Sequence, residues 1–195
     1  MIYLLANADQ LPDTFPETCG AFLPRERKNQ MMSYTRLIDR KLCAAGYVLL
    51  VYALKREDLF TELPILGYGP FNKPFLINYP GIHFNLSHCD HAVVCALYSS
   101  PVGIDIEKVA GYDEDLARYI CNQSEYEWVT RIPELKSRRL MEMWTRKESG
   151  VKLRGTGIDR EPRYMKSNGC QVLNVISENT SYIISLNPCS KKPIP

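Results

Sequence analysis

Two short stretches of this sequence put carboxylates where apolar side chains are expected. In Val102-Gly103-Ile104-Asp105-Ile106-Glu107 the residue types alternate with the period of a strand. Val102, Ile104 and Ile106 share one face, and Gly103, Asp105 and Glu107 share the other. Asp105 and Glu107 then stand roughly 7 Å apart at their backbones. Carboxylates so placed repel each other unless a cation lies between them; their side chains can converge on one divalent ion, and oxygen ligands suit magnesium. The plainer reading is an edge strand with a solvated polar face. The second stretch lies on a helix whose apolar stripe runs through Leu140, Met141, Trp144 and Val151. One turn beyond Trp144 the stripe meets Glu148, a costly residue on a buried face unless it is paired or bound to metal. Lys152 follows one turn later, so a Glu148–Lys152 surface pair on a slightly rotated stripe is the competing reading. Taken together, three carboxylates from a strand and a helix, with a lysine beside them, describe a metal–phosphate site.

The elements that must position these residues follow from periodicity. Ile2–Ala6 reads as a first strand, and a helix begins after Pro24 with Arg25, Arg27 and Lys28 early in it. From Asp39 to Leu54 the pattern is helical, through Leu42, Ala45, Leu49 and Tyr52. Gly46 inside that helix costs about 1 kcal/mol relative to alanine, which marks it as a place of close approach. Residues 64–81 are rich in proline and glycine and read as loop, with a short strand at Phe75–Ile77. Phe84–Ser87 alternates, whereas Ala92–Tyr98 is continuously apolar, as in a strand covered on both faces. Ser87 and His88 are expected on the loop before it, where binding groups tend to lie. Asp113–Ile120 and Ser124–Arg131 read as short helices, the second with Ser124 as N-cap. A long helix runs from about Leu135 to Leu153 and stops at Gly155 and Gly157. Cys170–Ile176 and Ser181–Leu186 form a closing hairpin, and the tail Lys191–Pro195 is expected to be loose. The order of helix, then strands, recurs about a joint near Ser99–Pro101, so the halves are 1–100 and 101–195.

Composition narrows the function classes. The chain has 195 residues, 45% hydrophobic and 24% charged, as in a packed soluble protein. Its net charge of +2 hides a pattern: residues 25–56 and 131–166 each carry +6, and residues 57–130 carry −8. A uniformly basic nucleic-acid coat is disfavoured, while a site joining phosphate-binding cations to a carboxylate cluster is not. No apolar run approaches the ~18 residues of a membrane span. The opening Met-Ile-Tyr-Leu-Leu-Ala lacks the basic and long apolar regions of a secretory signal. Seven cysteines, an odd count without a C-x-x-C pair, read as thiols of a reducing cytosol, and Cys95 as a core residue. The common phosphate-loop, dinucleotide and nucleophile-elbow fingerprints are absent. Lys73 is the lone cation between residues 57 and 107, either a loop lysine or part of a site.

The sequence resembles the 4′-phosphopantetheinyl transferases, in particular their longer, Sfp-type branch. The segments that carry the resemblance are Phe84-Asn85-Leu86-Ser87-His88, Gly103-Ile104-Asp105-Ile106-Glu107, and Trp144-Thr145-Arg146-Lys147-Glu148-Ser149-Gly150-Val151-Lys152 with Gly155 and Gly157. Asn72-Lys73-Pro74 is similar to the family's Gly-Lys-Pro element, with asparagine for its glycine. The resemblance spans residues 72–157, and the helix at 39–54 extends it toward the N-terminus. It departs from the family at Leu42-Cys43, where members often carry Arg-Ser or Arg-Thr, and in its shorter length after residue 157.

The resemblance implies an α/β fold of the α+β type: a pseudo-twofold arrangement of two similar halves, each a small sheet packed with helices, with coenzyme A between them. It implies transfer of phosphopantetheine to a serine hydroxyl of an apo acyl or peptidyl carrier protein, releasing adenosine 3′,5′-bisphosphate. Asp105, Glu107 and Glu148 would take the magnesium-ligand positions, and Lys152 would hold the pyrophosphate. Either Glu148 or a metal-held water would accept the serine proton. Lys73, Ser87 and His88 match positions at the 3′-phosphate and adenosine end. Arg27 and Lys28 fall where the family places cations near the 3′-phosphate, and Arg36, Arg40 or Lys41 stand ready to replace the contact missing at Leu42-Cys43. The implied protein is a cytoplasmic monomer without nucleic-acid or membrane partners. Two rivals use the same residues: a coenzyme A-binding module without transferase activity, and a metal-dependent phosphohydrolase.

Overall fold

The central strand of the first half is buried along its whole length, as its unbroken apolar run requires. In the computed structural model, which describes residues 1–157, 161–165 and 169–189, this strand is β5 (Ala92–Tyr98). Val93, Cys95 and Leu97 face the 20-residue helix α3 (Leu37–Arg56), while Ala92, Val94, Ala96 and Tyr98 face a second sheet. Strands β1 (Ile2–Leu5) and β4 (His83–Cys89) flank β5 in antiparallel pairing, with Ile2 opposite Ala96 and Ser87 opposite Val94. The second sheet has the order β6-β8-β7, from β6 (Val102–Lys108), β8 (Thr180–Pro188) and β7 (Gln171–Ser177).

Both sheets are wired alike. The first strand of each half pairs antiparallel with the last, and the last also pairs with the strand before it. Each sheet carries one long helix, α3 on the first and α6 (Lys136–Arg154) on the second. Short helices brace them: α1 (Phe15–Gly20) and α2 (Arg25–Ser33) on α3, α4 (Glu114–Ile120) and α5 (Gln123–Thr130) on α6. The apolar faces of the two sheets meet through Val94, Ala96, Ile104, Ile106, Ile184 and Leu186. This is the expected pseudo-twofold α/β architecture. A small hairpin, β2 (Leu66–Tyr68) with β3 (Pro74–Leu76), projects from the first half toward the second.

Several expectations are corrected in detail. Ser87 and His88 do not lie on a loop: β4 continues through Cys89, because only Asp90 and His91 are needed to turn into β5. Ser124 is not the N-cap of α5. Asn122 is, since its side chain accepts the Glu125 N–H at 3.0 Å while Glu125 accepts the Asn122 N–H at 2.9 Å. The expected loose tail at Lys191–Pro195 lies outside the described residues.

One contact fixes the relation of α6 to β6. A Cβ added to Gly103 would stand 2.1 Å from the Ser149 carbonyl oxygen and 2.3 Å from the Leu153 nitrogen. The helix backbone therefore rests directly on the strand backbone, which only glycine allows. β6 is an edge strand, paired in its sheet with β8, but its polar face is roofed by α6, so the solvated-edge reading does not hold. α6 ends at Gly155, whose φ of 66° is the left-handed cap expected of a stop signal.

Candidate functional site

Beneath α6, Asp105 is 3% exposed and sits at the meeting of three elements. Its Oδ1 accepts hydrogen bonds from Ser87 Oγ of β4 at 2.7 Å and from Lys152 Nζ of α6 at 2.6 Å. Lys152 Nζ also donates to Ser87 Oγ at 2.7 Å. The other carboxylate oxygen, Oδ2, is buried and has no hydrogen-bond partner among the described residues. An orphaned anionic oxygen in the interior is costly unless a cation or donor reaches it. Lys152 pairs with Asp105 across the junction, so the simple Glu148–Lys152 surface pair is not what forms. Two residues before Ser87, the buried Asn85 accepts the Ile104 N–H at 2.8 Å, splicing β4 of one half to β6 of the other.

Trp144, Glu148 and Lys152, at i, i+4 and i+8, form a half-buried stripe of α6 along this junction. Burial raises the Glu148 pKa, the nearby Asp105 raises it further, and Lys152 opposes both. Glu107 is pushed up to about 7, first by burial and then by Asp105, although a hydrogen bond from Trp144 and the charge of Lys152 pull it back. Three carboxylates thus crowd one junction with too little positive charge to satisfy them. Among the described residues, no group of three His, Cys, Asp or Glu side chains stands in ready coordinating geometry.

A cleft of about 300 Å³ opens beside Glu148 and Lys152, and Phe71, Asn72, Lys73 and Asn85 are among the other residues that line it. Asn72 has φ 60°, a left-handed conformation that asparagine tolerates and that glycine takes freely. His88 lies on the face of β4 opposite Ser87. Its side is open to solvent, yet the surrounding walls desolvate the imidazole and, with Lys152 and Arg27, lower its pKa.

The other expected cations have different surroundings. Arg27 is turned onto α3: its Nε and Nη2 donate to the Cys43 carbonyl at 3.2 and 2.9 Å, and its Nη1 to Gln30. Gly46 allows this, since a Cβ there would stand 3.0 Å from Arg27 Nη2. Arg40 Nε donates to the Tyr34 carbonyl, and Lys41 is buried against Asp13. Arg36 and Lys28 remain exposed. Lys73 is not a free loop lysine; its ammonium donates to the Leu153 carbonyl at 2.9 Å and to the Val102 carbonyl at 3.3 Å.

Sequence reasoning missed Lys147. It is 2% exposed, and its ammonium donates to Glu125 Oε2 and the Ile120 carbonyl at 2.6 Å and to the Pro162 carbonyl at 3.0 Å. Its place between Arg146 and Glu148 on the covered side of α6 was the available signal. It also accounts for part of the positive charge of the 131–166 block. Lys136 lies over the Tyr112 ring, Arg139 over Trp128, and Arg146 pairs with Glu142. Those cations are spent inside the half that carries them.

The family described as the 4′-phosphopantetheinyl transferase superfamily matches residues 101–186, the stretch from β6 through β8. The chain belongs to this superfamily. Its similar relatives are of the Sfp type. The 4′-phosphopantetheinyl transferase gsp of Aneurinibacillus migulanus is 31% identical over 136 residues, covering 69% of this chain and 56% of its own length. The corresponding psf-1 protein of Bacillus pumilus is 33% identical over 149 residues, 73% of this chain and 62% of its own. Sfp of Bacillus subtilis is 26% identical over 140 residues, 71% of this chain and 62% of its own. The chain thus spans a little over half the length of the curated relatives it matches.

Proposed function

We propose that this protein transfers the 4′-phosphopantetheine group of coenzyme A to a serine hydroxyl of an apo acyl or peptidyl carrier protein. The observation that carries the reading is Asp105: Oδ1 held by Ser87 and by Lys152, which lines the cleft between the two halves, and Oδ2 buried without a partner among the described residues. The unpartnered oxygen and the raised pKa values of Glu107 and Glu148 fit a divalent cation. Asp105, Glu107 and Glu148 would hold magnesium. When bound, it neutralises charge on the pyrophosphate and on the leaving bisphosphate.

The chain's own groups do the rest. Lys152, standing at the cleft floor, binds the pyrophosphate. Glu148, whose raised pKa suits a base working near neutrality, is one acceptor for the serine proton, and a water at the site is the other. The serine oxygen bonds to the phosphorus that carries the pantetheine arm. The bond to the departing phosphate breaks, and adenosine 3′,5′-bisphosphate leaves. Ser87 and His88 border the nucleotide end together with the exposed Lys28, while Arg27 and Arg40 keep part of each guanidinium for an incoming phosphate. Residues 1–100 and 101–195 are the two halves, and each supplies one wall of the cleft. That supports a monomer, since one chain completes the site. The reading places the protein in the cytoplasm without nucleic-acid or membrane partners. Among the described residues, no helix is long and apolar enough to cross a membrane, and no disulfide joins the cysteines.

The test is to incubate the protein with coenzyme A, magnesium and an apo carrier protein and to weigh the carrier. A gain of one phosphopantetheine is expected, and Asp105→Ala and Glu148→Ala should abolish it without unfolding the chain. Breakdown of coenzyme A with an unmodified carrier means a phosphohydrolase, and neither product means a binding module. Parental transfer by either variant refutes the metal site.

A further inference from the structure

Among the described residues, Lys73 is the cation near the cleft whose ammonium reaches from one half into the backbone of the other. Two successive left-handed residues, Phe71 at φ 59° and Asn72 at φ 60°, turn the tip of the β2–β3 hairpin. The turn is closed by Gly69 N–H to the Lys73 carbonyl at 3.0 Å and Asn72 N–H to the Gly69 carbonyl at 3.1 Å. It aims Lys73 inward, and burial lowers the pKa of its ammonium. The Leu153 carbonyl that Lys73 meets is among the last four of α6, which have no partner within the helix and carry the negative end of its dipole. Its second partner, the Val102 carbonyl, opens β6. Room for the lysine stem comes from Gly155, where a Cβ would lie 2.8 Å from Lys73 Cδ. Lys73, Pro74 and Gly155 also form the partition between the cleft over Glu148 and a second hollow of about 450 Å³ on the far side, at Tyr79, His83 and Arg154.

We propose that Lys73 is a positioning residue rather than a phosphate ligand: its ammonium ties the end of α6 and the start of β6 to the hairpin tip, and so fixes where Glu148 and Lys152 stand over Asp105. The calorimetric and kinetic arms of its test rest on the transferase reading, and the exchange arm does not.

Lys73→Met keeps the stem and removes the donors, and Lys73→Arg restores them. Hydrogen exchange at the amides of residues 155–157 should quicken about tenfold or more in the Met variant, the loss of a charged hydrogen bond, and fall back in the Arg variant. Calorimetry with coenzyme A and with its analogue lacking the 3′-phosphate supplies the second arm. The ratio of the two dissociation constants should be the same in parent and Met variant. In the transfer assay kcat should fall by roughly ten- to a hundredfold while KM for coenzyme A stays within about threefold. Unchanged exchange overturns the clamp. So does a ratio that collapses toward one because only coenzyme A binding weakens, or a raised KM with kcat intact. If the parent neither binds coenzyme A nor transfers, the transferase reading fails and the exchange arm alone decides the clamp. Should Lys73→Met not fold, Lys73→Gln carries the same comparison.

Discussion

The contact at Gly103 lets the placement of the site be tested by adding a single methyl group. In Gly103→Ala the new Cβ would lie 2.1 Å from the Ser149 oxygen and 2.3 Å from the Leu153 nitrogen, against the 3.4 Å at which ordinary contact begins. Both obstacles are main chain, so no side chain can swing aside. Helix and strand must part by about 1.3 Å, a displacement that a close-packed interior resists. Overpacking of this kind costs about 1–3 kcal/mol, or about 2–12 °C in melting temperature for a chain of this size. The functional loss should be larger than the stability loss suggests. Lys152 reaches Asp105 at 2.6 Å and Ser87 at 2.7 Å, and a shift of more than an ångström takes both beyond hydrogen-bonding distance. Misplacement on that scale costs on the order of a hundredfold in transfer rate. Gly150→Ala is the control: its Cβ would meet only Arg154 and Asn187 side-chain atoms at 3.6 Å. A helical glycine so placed gains about 0.5–1 kcal/mol as alanine. Thermal melts and carrier mass spectrometry on both variants decide the matter. A Gly103→Ala protein that melts within about 1 °C of the parent and transfers at the parental rate would refute the reasoning.

Lys147→Met should lower stability by about 3–5 kcal/mol in a urea titration, because it strands the Glu125 carboxylate and two carbonyls that the ammonium now satisfies. The Glu107 pKa is raised from 4.5 to about 7, so the folded state keeps a proton that the unfolded chain releases. That contribution is fully present below pH ~4.5 and is lost as pH rises through about 7, up to about 3 kcal/mol in all. Denaturant titrations at pH 5 and pH 8 without divalent ions should show the loss. Glu107→Gln should remove most of it, and an unchanged pH slope in that variant would assign the effect elsewhere.

How much of this was legible depended on what kind of signal each feature leaves. The unbroken apolar run of β5 could mean only a strand covered on both faces, and it is. Alternation put Asp105 on the face of Gly103 and the glycine let α6 descend, but the meeting of Ser87, Asp105 and Lys152 left no mark in the spacing. Gly46 marked a close approach correctly, though not what approaches: it is the Arg27 guanidinium. Cations were harder to place, because a lysine or arginine can serve a phosphate or an unmet main-chain carbonyl and its letter does not say which. Arg27, Arg40, Lys73 and Lys147 all found carbonyls. Spacing also pointed to Ser124 as the cap of α5, two residues past the true cap, Asn122. The reciprocal bond from Glu125 decided it.

The shared wiring of the two sheets governs how the chain can fold as well as what it does. Ile2 pairs with Ala96, and Val102 with Pro188, so each half opens with a strand whose partner is the last to be made. Such long-range closure is slow. Once β5 has closed the first sheet, Val94 and Ala96 still face only solvent until β6 and β8 arrive to cover them. A ribosome-bound intermediate of this protein would therefore present a bare apolar sheet from the completion of β5 until β8 is made. Cutting the gene at the joint should yield an aggregating fragment that engages chaperones, not an independent small domain.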